Sequence, residues 1–198
     1  MRIPDRLRRP DWLAEIQSAT AFVLAVLAVV GVAGIAMTAI GDNLTVEVPA
    51  SVVAAPDGLR PGVTVDTEGT LDAVIAQPDR AERVAAALTS LPTYLVVVAM
   101  LAILYAVARQ ARREDPFLAV TVNRLRLLAL VALVGGPLAA VTETVAALDL
   151  TRRVTGDASA SLDVTAIGLW TLAGFGFLAV AEIVNRGRAM RAELETVI

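Results

Sequence analysis

Apolar residues gather along this 198-residue chain in four long blocks separated by polar stretches. The first, Ala19 to Ile40, carries no charge, and neither does the second, Leu91 to Ala108. The third runs from Leu127 to Leu148 and the fourth from Val164 to Val184, interrupted by Glu143 and Glu182 respectively. A helix rises 1.5 Å per residue, so roughly 20 apolar residues cross about 30 Å of hydrocarbon. All four blocks meet that length. None has the period-two alternation with turn signals that membrane strands need. The pattern predicts an all-α membrane protein of four transmembrane helices with a small extracytoplasmic insertion containing β-structure. The first block, although preceded by Arg2, Arg6, Arg8 and Arg9, is too long for the roughly 7–15 residues of a signal-peptide core, so it reads as an uncleaved anchor.

Between the first two blocks the pattern changes. Leu44-Thr45-Val46-Glu47-Val48 and Val63-Thr64-Val65-Asp66-Thr67 alternate, with Pro56-Asp57-Gly58 and Pro61-Gly62 between them, which predicts a small hairpin or short sheet. From Pro78 the spacing becomes helical, through Asp79, Arg80 and Glu82 to Val84, Ala87 and Leu88. This segment is rich in Asp and Glu. Such an acidic cap could hold a cation or other ligand, but it contains no calcium-loop spacing and reads more simply as a solvated loop.

Composition agrees with a membrane setting and narrows the chemistry. The chain is 57% apolar and 19% charged with a mean hydropathy of +0.68, against about 45–50% and 25% in soluble domains. It has no Cys and no His, and its 17 basic residues are all Arg. A zinc, iron–sulfur or His-ligated haem site, a Cys nucleophile and a His base are therefore excluded, and no cofactor is expected. The Ser residues stand in no motif that supplies a base, so an enzyme is the weakest reading. A net charge of −3 argues against direct nucleic-acid binding.

Arg placement sets the orientation, because Arg-bearing loops resist translocation. Arg109, Arg112, Arg113, Arg124 and Arg126 flank the loop between the second and third blocks, and Arg186, Arg188 and Arg191 follow the fourth. Both termini are therefore expected in the cytoplasm. Residues 1–18, 109–126 and 185–198 would lie inside, with 41–90 and 149–163 outside. Within the loop, Asp115 before Pro116 predicts a helix start, with Phe117, Val120, Thr121, Arg124 and Leu128 on one face. Arg124 and Arg126 would snorkel at the inner boundary.

At this point the chain resembles a known group. Asp115-Pro116-Phe117 with Leu125-Arg126 is similar to the "NPF…EN…LR" signature of the bacterial membrane family called domain of unknown function 2975. Ala181-Glu182-Ile183-Val184, Arg186-Gly187, Glu193 and Thr196-Val197 resemble its closing pattern. Asp115 replaces the usual Asn, and Val120-Thr121 stands where the family commonly has Glu-Asn. The resemblance implies a multi-pass protein of the bacterial plasma membrane that works with a cytoplasmic helix-turn-helix DNA-binding partner. A docking surface would combine Arg109 to Arg126, including Asp115 and Phe117, with the tail carrying Arg186, Arg188 and Arg191. Topology and contact with anionic lipid would explain the same Arg residues without a partner.

Polar and helix-breaking residues inside the blocks supply the remaining candidates. Glu143, between Thr142 and Thr144, reads either as a proton or cation site or, more simply, as a carboxylate near the outer edge that reaches interfacial water or pairs with Arg152 or Arg153. Gly135-Gly136-Pro137 predicts a break in the third helix, since Pro137 has no N–H for the carbonyl of Leu133. Glu182 stands at i,i+4 from Arg186 and also within reach of Arg124 or Arg126. The expected function is a regulatory or scaffold subunit within the bilayer, alone as an oligomer or in a larger complex. The competing reading is a small transporter or channel subunit that uses Glu143 and the Pro137 break.

Overall fold

A computed structural model describes residues 12–49, 70–113, 118–155 and 160–195. In chain order the elements are α1 (Trp12–Ile40), β1 (Asn43–Pro49), β2 (Thr70–Ala76), α2 (Arg80–Leu88) and α3 (Leu91–Arg113). Then come α4 (Ala119–Leu130), a π-helical turn (Val131–Gly135), α5 (Gly136–Thr155) and α6 (Val164–Glu195). Four helical stretches are long and apolar enough to cross a membrane: Ala14–Ile40, Leu91–Arg113, Ala119–Val154 and Val164–Glu193. The four apolar blocks thus coincide with four helices, each longer than its block.

The chain divides into two compact units. The first comprises Met1–Val30, Leu95–Pro137 and Thr165–Ile198; the second comprises Gly31–Tyr94 and Leu138–Val164. In the first unit α4 is the interior helix, burying Val122, Leu125, Leu128 and Ala129, with Ala132 buried in the π-helical turn that follows. Lipid removes the hydrophobic drive for helices to associate, so close approach depends on small residues. The spacing at Gly174 shows this: a Cβ there would stand 2.7 Å from Leu133 Cδ2 and 3.2 Å from the carbonyl of Ala129. Gly136 likewise admits Trp170, whose Cβ would lie 2.7 Å from any added methyl. A Cβ added at Gly34 or Gly176 would meet nothing within 4 Å, so no close approach among the described residues depends on either glycine.

The helix break expected at Pro137 takes the form of the π-helical turn. The wide turn lies directly upstream of Pro137, where the ring supplies no N–H to the preceding turn, and the helix continues through it without a stop. Thr20, Thr38, Thr142, Thr144 and Thr171 each donate the hydroxyl to the carbonyl four residues back, at 2.7–2.9 Å. Their polar atoms are thereby satisfied within their own helices, as hydrocarbon requires.

In the second unit β1 and β2 form a two-stranded antiparallel sheet with Leu44 opposite Ile75 and Val46 opposite Ala73. These four share one face and pack with Ala85 and Ala86 of α2 and Leu150 and Val154 of α5. Two strands cannot bury a face alone, and the two helices supply the cover. β1 pairs with Thr70–Ala76, a strand the alternation did not mark, while the expected strand Val63–Thr67 lies outside the described residues. The helix expected from Pro78 is α2. Asp79 Oδ1 accepts the Glu82 N–H at 2.7 Å and Glu82 Oε2 accepts the Asp79 N–H at 2.8 Å, a complete capping box.

Candidate functional site

Tyr105, Arg109 and Arg113 recur every four residues, so α3 presents them as one ridge, with Ala106 and Gln110 beside it. Arg124, from α4, completes the wall of an open cleft of about 300 Å³. Its Nη1 donates to the Ala106 carbonyl at 2.9 Å, which folds the side chain back onto α3 instead of letting it snorkel. Of the six described lining residues three are Arg and none is Asp or Glu. Neither α3 nor α4 contains a carboxylate anywhere along its length. Arg109 and Arg113 make no hydrogen bond or ion pair among the described residues.

The other Arg residues of this unit are tied down or exposed. Arg112 Nη1 donates to Gln17 Oε1 of α1 at 2.8 Å. Arg186 Nε meets Glu182 Oε1 at 3.1 Å, the i,i+4 pair expected from spacing. Arg126 approaches the same carboxyl only to 3.9 Å, and both side chains are about half exposed, so water screens that contact. Arg188 and Arg191 are exposed on α6, whose helix continues to Glu195. Asp115 and Phe117 lie outside the described residues. The helix start expected at Asp115-Pro116 falls there too; the described helix α4 begins at Ala119, with Leu118 as an N-cap that offers no side-chain hydrogen bond.

Glu143 has a different role from the one its neighbours implied. The Thr93 N–H donates to its Oε1 at 2.7 Å and the Thr93 hydroxyl to its Oε2 at 3.0 Å. The Tyr94 N–H donates to the Ser90 carbonyl, so Thr93 sits in the first turn of α3, where backbone N–H groups have no intrahelical partner. Glu143 therefore caps the start of α3 from another helix, with its carboxyl at the positive end of the helix dipole. The expected salt bridge to Arg152 or Arg153 is absent. Arg153 pairs instead with Asp149 at 2.8 Å, one turn away on its own helix and closer at hand than Glu143.

A matching cap closes the end of α1. Its last turn contains no basic residue, so its final carbonyls need partners from elsewhere. Arg83 supplies them, donating Nη1 to the Thr38 carbonyl at 2.8 Å and the Ala39 carbonyl at 3.0 Å, while Nε reaches the Pro78 carbonyl at 3.3 Å. The sequence reading missed Arg83 and Thr93, although the uncapped end of α1 and the Ser90-Leu91-Pro92-Thr93 helix start signalled a need for both. Among the described residues no three Asp or Glu side chains come together in a way that could hold a metal ion. No family model, curated protein or solved structure matches the chain.

Proposed function

We propose that the chain is a non-enzymatic, multi-pass membrane subunit whose Arg-rich end faces the cytoplasm and docks the acidic surface of a cytoplasmic protein. The observation that carries this reading is the charge of α3 and α4, which bear Arg109, Arg112, Arg113, Arg124 and Arg126 without one carboxylate. Exposed Arg188 and Arg191 on α6 add to the same basic unit. Charge complementarity of this kind speeds encounter and selects partners by repelling basic surfaces. The positive-inside rule supports the cytoplasmic assignment. A helix-turn-helix regulator is the candidate partner that the sequence resemblance supplies.

Purification of the full chain in mild detergent should recover one cytoplasmic protein in constant ratio. Arg112→Ala/Arg188→Ala should lower that recovery by about tenfold, and raising the salt should do the same, because exposed charges are screened over about 10 Å at 0.1 M. Recovery of no constant partner, or equal recovery with the variant, would overturn the proposal. The transporter reading centred on Glu143 and Pro137 has less support, since Thr93 engages both oxygens of that carboxyl.

A further inference from the structure

We infer that the cleft walled by Arg109, Arg113 and Arg124 binds a phosphate monoester, whether or not a protein partner docks nearby. The Arg side chains elsewhere in the molecule that have a described contact meet a carboxylate, an amide or helix-end carbonyls of the chain itself. Arg109 and Arg113 have no such neighbour among the described residues, although they stand one turn apart on α3, where like charges repel. Arg124 is held against the same wall by the Ala106 carbonyl, so its remaining N–H groups are positioned before any ligand arrives. Guanidinium forks match phosphate oxygens two at a time. A monoester carries about −1.5 to −2 charges near pH 7, which suits three convergent cations better than the single charge of a diester.

The depth of the cleft points toward a lipid source. It begins at Tyr105, within the uncharged block that ends at Ala108, and extends to Arg113, about 12 Å further along the helix. That stretch spans the change from apolar to polar sequence, where Tyr and Arg side chains meet headgroups. A soluble phosphate offers the same chemistry, and the experiment separates the two sources.

The full chain in detergent would be titrated with phosphatidic acid, phosphatidylglycerol and phosphatidylcholine, with bound lipid counted by native mass spectrometry. Phosphatidic acid should bind about tenfold more tightly than phosphatidylglycerol, and Arg109→Gln/Arg113→Gln should remove that preference. Arg188→Gln, outside the cleft, should leave it unchanged. Arg109→Lys/Arg113→Lys keeps both charges and so guards against a folding defect, and it should still cut the preference about threefold because the fork is lost. Competition by inorganic phosphate would support the site and admit soluble ligands, whereas phosphatidic acid binding that resists inorganic phosphate would support it as a lipid site. Equal binding of the two anionic lipids, or equal loss with Arg188→Gln, would overturn the inference in favour of a diffuse basic surface.

Discussion

The Glu143–Thr93 pair and the Arg109–Arg113–Arg124 cleft both set ionisable side chains beside apolar helices, but among the described residues only the first finds its counterpart. Glu143 stands out in sequence as a carboxyl inside an apolar block, and in the structure each of its oxygens has a donor. The Arg residues look ordinary in sequence, as the expected flank of a membrane span, yet they line one cleft with no counter-charge among its described residues. Oddness in sequence and availability in structure are thus different properties. A polar residue that looks out of place in an apolar run is under pressure to find an internal partner. Charges at the edge of the run, which water and headgroups already tolerate, are under no such pressure and are free to serve a ligand.

Substitutions can test this contrast, beginning with the largest effect. Glu143→Ala would leave the Thr93 N–H and hydroxyl without acceptors and should cost about 2–3 kcal/mol, seen as a lowered thermal midpoint in detergent. Glu143→Gln keeps an acceptor for the N–H and should lose less than about 1 kcal/mol. If Glu143→Ala were as stable as the parent chain, the carboxyl would not be a structural cap and the contrast would fail. Arg83→Ala should cost about 1–2 kcal/mol by exposing the last carbonyls of α1, with hydrogen exchange rising at residues 38–41 before it rises elsewhere. At the other extreme, Arg109→Gln/Arg113→Gln should change stability by less than about 0.5 kcal/mol, since neither side chain holds the fold together. A large loss there would mean that these groups have internal partners after all.

The four membrane-length helices were legible because an uninterrupted apolar run has few other solutions in lipid. β1 was legible from its alternation. β2 was not, because Val74 and Ala76 are as apolar as the inward-facing Ala73 and Ile75, so its period is blurred and only pairing with β1 reveals the face. The i,i+4 pair of Glu182 and Arg186 could be read from spacing alone, as could the Tyr105–Arg109–Arg113 ridge. The partner of Glu143 could not, since Thr93 lies 50 residues away and the nearby Arg152 and Arg153 were the more obvious choice. The arrival of Arg124 at the ridge depends in the same way on how α4 packs on α3.

The Arg83 cap also bears on biogenesis. The carbonyls it serves belong to residues made 44 and 45 positions earlier, so the first span leaves the ribosome with its trailing end open. At elongation rates of about 5–20 residues per second, that end waits on the order of seconds for its guanidinium. During that interval solvent or the insertion machinery must satisfy those carbonyls, and a nascent chain arrested before position 83 would present a first helix that is threaded but not yet locked.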